Sequence, residues 1–159
     1  MDVAICTGSN LGARREHLER ADQLLGERLG AARARSAIYE TSPLGALDQP
    51  SYCNQVLLLE TERDPFSLLA SLQQIEIDIG RVRSDTRWAS RIIDIDILTI
   101  GSVIIDSPQL RVPHPEMYRR DFALEGLREI LPQWIDPRSG KSVPQLLEDA
   151  SIERTIIRQ

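Results

Sequence analysis

The run Ile92-Ile93-Asp94-Ile95-Asp96-Ile97-Leu98-Thr99-Ile100 restricts the fold more than any other part of the chain. Its density of β-branched residues predicts a strand over 92–100. Strand side chains alternate between faces, so Asp94 and Asp96 point the same way, roughly 6.5–7 Å apart along the chain. Two like charges at that spacing repel each other and resist burial among isoleucines. Ile92, Leu98 and Ile100 are expected on the aspartates' face. A sheet that holds this strand must leave its aspartate end open to water or to a cation. Hard oxygen donors suit magnesium, which keeps several waters and shares its shell with phosphates. A carboxylate pair of this kind can bridge two ions about 3.5–4 Å apart. Taken alone, the pair fits either a metal site or a solvated strand face.

The remaining elements follow from periodicity and punctuation. A strand over 3–7 runs into a glycine-bounded turn, Gly8-Ser9-Asn10-Leu11-Gly12. A helix over 14–29 carries Leu18, Ala21, Leu24, Leu25 and Leu29 on one face. Residues 33–40 read as a second strand, 41–50 as a loop holding Pro43, Gly45 and Pro50, and 52–61 as a third strand. Asp64-Pro65 opens a helix, with Asp as N-cap and Pro at the first helical position. Gly80 closes it. Beyond the strand over 92–100, Gly101-Ser102 predicts a turn into 103–105 as a hairpin partner. A proline-rich loop spans 108–115, a helix in two pieces 116–131, a short helix 144–150 and a terminal strand 152–157. The order strand, helix, strand, strand, helix, strand is that of the ferredoxin-like βαββαβ sandwich. The expected class is α+β, with a mostly antiparallel sheet and helices packed on it, here on one face. No repeat or linker interrupts the chain, so 1–159 is expected to form a single domain.

Composition removes several functions. The net charge is −5 over 159 residues, against the basic surplus that broad nucleic-acid binding needs. Lys141 is the single lysine, so the positive charge is almost all arginine, which suits planar two-point contact with phosphate. Cys6 and Cys53 sit in apolar runs without metal-ligand spacing and read as small buried residues in a reducing compartment. The N-terminus has no basic region and no long apolar stretch, and no window reaches the roughly 18 apolar residues of a membrane span. A cytoplasmic protein is expected, with no nucleic-acid or membrane partner.

Three further groups bear on chemistry. Residues 80–91 hold Arg81, Arg83, Arg87 and Arg91 against the single acid Asp85, with Trp88 among them. A cationic loop beside a two-aspartate strand fits a polyphosphate held between metal and guanidinium groups; it fits a solvated charge run as well. His114 is fixed between Pro113 and Pro115 and reads either as a phosphate donor or as a partner for a loop carbonyl. Tyr52 and Asn54, two apart on a strand, share a face and together offer a stacking surface and a donor–acceptor amide. Taken by themselves, they are explained at least as well by ordinary strand packing and an edge polar residue.

These pieces resemble the 6-hydroxymethyl-7,8-dihydropterin pyrophosphokinase family. The resemblance rests on Gly8-Ser9-Asn10-Leu11-Gly12, Tyr39-Glu40-Thr41, Pro43-Leu44-Gly45, Asp48-Gln49-Pro50, Tyr52-Cys53-Asn54 and Gln74-Ile75-Glu76. It continues through Gly80-Arg81-Val82-Arg83, Arg87-Trp88, Arg91, Asp94-Ile95-Asp96-Ile97-Leu98, Val112-Pro113-His114-Pro115, Arg120 and Phe122, and so covers about 3–137 in order. It implies that Asp94 and Asp96 ligate two magnesium ions that bracket the phosphates of ATP. Arg81, Arg91 and Asp96 would be catalytic. Gln73, Arg83, Trp88, Ile97, His114 and Arg120 would contact ATP. Thr41, Leu44, Gly45, Tyr52, Asn54 and Phe122 would bind the pterin, with Tyr52 and Phe122 as aromatic walls.

The implied reaction is in-line attack of a pterin hydroxymethyl oxygen on the β-phosphorus of ATP, giving the pterin diphosphate and AMP, by a monomer. Two positions depart from the family: Ile92 stands where a threonine is frequent, and Pro115 where some members have tyrosine. A non-catalytic pterin- or nucleotide-binding relative would share the scaffold without forming AMP. An RNA-binding sheet would need exposed aromatics and a basic surface, and only 4% of residues are aromatic.

Overall fold

The computed structural model describes residues 1–43, 48–81, 92–149 and 151–159. Strand β1 (Asp2–Ser9), helix α1 (Arg14–Leu29), strands β2 (Ala34–Arg35), β3 (Tyr39–Thr41) and β4 (Tyr52–Glu60), helix α2 (Pro65–Ile79) and strand β5 (Asp94–Ile100) form the expected βαββαβ unit. The sheet runs β5-β1-β4-β3-β8, where β8 is Ile156–Arg158, and β2 also pairs with β4. Every pairing in it is antiparallel.

Local chemistry sets the boundaries. The Asp64 carboxylate accepts from Ser67 N at 2.9 Å, Pro65 begins α2, and Gly80 ends it in the left-handed conformation that glycine adopts without steric cost. The second strand divides because the Ser36 hydroxyl, not a backbone carbonyl, receives Val56 N at 2.9 Å, which interrupts the ladder between β2 and β3.

Helices cover both faces of the sheet, where one was expected. Val56-Leu57-Leu58-Leu59 is apolar at successive positions, so each face of β4 needs a cover. Val3, Ile5, Leu57, Leu59, Ile95 and Ile97 pack under α1 and α2 with Leu18, Leu25, Leu68 and Leu72. Ala4, Cys6, Val56, Leu58 and Leu98 pack against helix α3 (Asp121–Ile130) and helix α4 (Val143–Leu147) through Phe122, Leu124, Leu127 and Leu146. Gly126 permits this close seating, since a Cβ there would collide with Val56. Cys6 and Cys53 lie free in the cores on opposite faces.

Three local expectations change. The segment after Gly101 does not pair with β5; strand β6 (Ile105–Asp106) pairs with β7 (Arg111–Val112) in a separate two-stranded sheet. The register of β5 on β1 shifts between Ala4 and Ile5, so Ile100 enters the α1/α2 core and not the aspartate face, and Ile92 packs against that same core. Gly8 lies inside β1, not in a turn after it.

Candidate functional site

Strand register aligns the predicted residues on one face. Gly8 stands between Asp94 on β5 and Asn54 on β4, and Cys6 between Asp96 and Val56. Helix α3 covers the Val56 end of this face. The Asp94, Gly8 and Asn54 end lies beyond the start of α3 and forms the candidate site.

Gly8 is required by its neighbours. A Cβ there would lie 2.5 Å from Asn54 Oδ1 and 3.7 Å from Tyr52 Cδ1. The missing side chain lets the Asn54 amide lie over β1, while Asn54 Nδ2 donates to Thr41 Oγ1 at 2.8 Å. Asn54 and Thr41 are buried and Tyr52 is half-buried. An amide of fixed orientation beside an aromatic ring is a surface that a flat heteroaromatic ligand can stack on and hydrogen-bond to. Phe122, in the first turn of α3, belongs to the core on that side of the sheet and is 7% exposed.

At the β5 end the charges converge. Asp94 and Asp96 keep side-chain exposures of 23% and 31%, unlike the buried isoleucines between and after them. Arg81, just past the Gly80 cap, donates to Asp94 Oδ1 at 2.9 Å and also pairs with Glu76. The backbone N–H of Ile95 donates to the Glu76 carboxylate at 3.1 Å. Burial and the nearby Asp94 raise the Glu76 pKa to about 7, against the opposing pull of Arg81.

Residue 114 runs along the outer edge of β5, where His114 N donates to Leu98 O at 2.8 Å. His114 Nδ1 accepts from Glu116 N at 3.2 Å, so in the neutral ring Nε2 carries the proton. Nε2 sits 3.9 Å from Asp96 Oδ1. Burial and the Arg120 guanidinium lower the imidazole pKa to about 4, so it is a neutral donor at pH 7. Arg120 NH1 lies 4.0 Å from Asp96 Oδ2, and Arg120 Nε is a buried donor without a hydrogen-bond partner among the described residues. A guanidinium beside the Asp96 carboxylate, with one donor unmet, suits an incoming phosphate oxygen.

Other expected residues are placed differently. The side chain of Ile97 points into the α1/α2 core, leaving only its backbone near the edge of β5. Gln73 is exposed on α2, one turn before Glu76. Leu44, Gly45, Arg83, Trp88 and Arg91 lie outside the described residues.

Among the described residues, no group of three or more His, Cys, Asp and Glu side chains forms a cage for a metal. Two carboxylates on an open strand face still fit magnesium, which commonly takes one or two protein carboxylates and completes its shell with phosphate and water. Glu76 has a place beside Asp94 that the motif Gln74-Ile75-Glu76 does not by itself reveal. Its signal was an acid four residues after Leu72, on the apolar stripe of α2. Asp121, also buried, gave no such signal, because an acid in a first helical turn is ordinary.

Comparison with known proteins adds an independent finding. The family profile described as 7,8-dihydro-6-hydroxymethylpterin-pyrophosphokinase matches residues 4–132. The Pseudomonas aeruginosa protein named 2-amino-4-hydroxy-6-hydroxymethyldihydropteridine pyrophosphokinase is 41% identical over 153 residues, covering 95% of this chain and 93% of its own. The Bacillus subtilis protein of the same name is 42% identical over 130 residues, covering 81% and 77%. Among solved structures, wild-type Plasmodium falciparum HPPK-DHPS with pteroate matches with a TM-score of 0.73 at 16% identity, over 92% of this chain and 41% of that one. At that identity the likeness supports the fold alone, and this chain spans about two fifths of that protein's length.

Proposed function

We propose, from the premise that this chain belongs to the 7,8-dihydro-6-hydroxymethylpterin-pyrophosphokinase family, that the open end of its sheet is the catalytic site. The chain is a diphosphotransferase of folate biosynthesis, which moves pyrophosphate from ATP to the hydroxymethyl group of 6-hydroxymethyl-7,8-dihydropterin and releases AMP. The observation that carries the site is the convergence of Asp94, Asp96, Arg81, His114 and Arg120 at one end of the sheet face that also bears Gly8, Asn54 and Tyr52.

Transfer of this kind relies on positioning and charge stabilisation more than on covalent help from the protein. Asn54 and Thr41 orient the pterin edge, and Tyr52 and Phe122 flank its ring. His114 Nε2–H and the Arg120 guanidinium donate to ATP phosphate oxygens. Arg81 leaves Asp94 to neutralise charge that develops around the β-phosphorus, and Arg91 acts with it. Gln73, Arg83, Trp88 and the backbone of Ile97 complete the nucleotide contacts, and Leu44 and Gly45 those to the pterin. Asp96 orients the attacking hydroxyl or takes its proton. Asp94 and Asp96 would hold two magnesium ions, which supply electrophilic neutralisation of the phosphates and a lowered pKa for the hydroxyl.

No helix among the described residues is long and apolar enough to cross a membrane. We place the enzyme in the cytoplasm as a single-domain monomer. The decisive test is AMP formation from ATP with the pterin alcohol. Asp94→Ala and Asp96→Ala are each expected to lose about a thousandfold or more in turnover, while circular dichroism and the melting temperature stay near wild type. Near wild-type turnover in either variant would overturn the site.

A further inference from the structure

The family profile stops at residue 132, yet the chain returns to the site after it. The segment 151–159 is hydrogen-bonded at once to the two elements that carry the pterin residues. On one side Thr155 O accepts from Ser42 N at 2.9 Å, and Ile156 pairs with Thr41 on β3. On the other side Asp121, at the start of α3, accepts from Thr155 Oγ1 at 2.6 Å, Thr155 N at 2.8 Å and Ile156 N at 3.2 Å. Phe122 N donates to the same carboxylate at 2.8 Å. Glu153 N adds a bond to Arg119 O at 2.8 Å.

Asp121 is 3% exposed. A buried carboxylate persists only when its charge is met, and here N–H and O–H donors meet it. Two of those donors belong to Thr155 and one to Ile156, residues that touch neither ATP nor pterin in the proposed site. We infer that Asp121 is a positioning residue for the pterin. Through Thr155 it fixes how far the Phe122 end of α3 stands from Thr41 and Asn54, and so sets the width of the slot for the ring. This rests on the reading of Thr41, Asn54 and Phe122 as pterin residues.

Asp121→Asn removes the charge and turns an NH2 group toward at least one existing donor. Thr155→Val keeps shape and loses the hydroxyl, and Thr155→Ser keeps the hydroxyl. Binding of the pterin alcohol to the full chain is measured by fluorescence, with a non-hydrolysable ATP analogue and magnesium present. Binding of the analogue alone is measured separately. Asp121→Asn is expected to weaken pterin binding about tenfold and Thr155→Val about threefold, the scale of lost charge-assisted hydrogen bonds. Thr155→Ser stays at the wild-type affinity, and nucleotide affinity stays unchanged throughout. A merely structural role would lower the melting temperature and weaken both ligands together, or neither, and either result overturns the inference. Should Asp121→Asn fail to fold, the Thr155 pair decides the matter in the same way. Asn54→Ala separates the two levels: if it leaves pterin affinity intact, the pocket reading fails. If it weakens binding while Asp121→Asn and Thr155→Val do not, only the positioning role fails.

Discussion

Under α1 and α2 the sheet meets a continuous apolar layer, Val3, Ile5, Leu57, Leu59, Ile95 and Ile97 against Leu18, Leu25, Leu68 and Leu72. On the other face α3 and α4 cover only part of the strands, and the remainder holds the partly exposed Tyr52, Asp94 and Asp96 beside the buried Gly8 and Asn54. The proposed chemistry lies where the cover stops, because a pair of carboxylates can meet an incoming cation or phosphate only at an opening. On the proposed site the covered face carries stability and the uncovered end binding, a division that substitutions can break.

The largest effect on the covered face is expected at Leu72, which is fully buried. Leu72→Ala should cost about 3 kcal/mol in urea unfolding, from lost transfer free energy plus the cavity. At temperatures where the variant is folded, its turnover and its pterin affinity should match wild type. A large change in either would mean that the faces are not separable. On the open face the expected pattern is reversed. Gly8→Ala puts a Cβ 2.5 Å from Asn54 Oδ1 and must displace the amide. Pterin affinity should fall about thirtyfold, or ~2 kcal/mol, with a smaller loss of stability. Unchanged pterin affinity in Gly8→Ala would show that Asn54 does not read the ligand.

The covered face was also the more legible one. Its helices announce themselves through Asp64-Pro65, Gly80 and the spacing of Leu18, Ala21 and Leu25, and α1 spans the predicted 14–29. The aspartate strand was readable because acids among isoleucines conflict with burial. What escaped depends on pairing between distant residues. The bulge that sends Ile100 to the other core and the Ser36 hydroxyl that splits the second strand are long-range facts with no local signal. The one-face expectation fails because the unbroken apolar run of β4 demands cover on both sides, which α1 and α2 supply on one face and α3 and α4 on the other. Gly8 looks like turn punctuation in the sequence, whereas its role is set across the sheet by Asn54. Asp121 gives no local signal, because Thr155 and Ile156, the partners that tie it to the last strand, are more than thirty positions away.

The smallest expected effect probes the border between the two regions. Glu76 reaches the edge of β5 from α2, and His114 borders the same strand from the site side. Burial is the leading cause of both pKa shifts, which have opposite signs in stability. The Glu76 pKa rises from 4.5 to about 7, so its contribution is fully present below pH 4.5 and is lost as pH rises toward 7. The His114 pKa falls from 6.5 to about 4, so its contribution is fully present above pH 6.5 and is lost as pH falls toward 4. Between pH 6.5 and 4.5 the two offset one another, and the metal-free wild type should change little in unfolding free energy. In His114→Gln only the Glu76 contribution remains, and the protein should gain stability on acidification, on the order of 2 kcal/mol across that window. In Glu76→Gln the slope should reverse, with a loss of similar size. Parallel slopes in the two variants would show that the opposed titrations do not belong to these residues, and the border between the covered core and the open site would have to be drawn elsewhere.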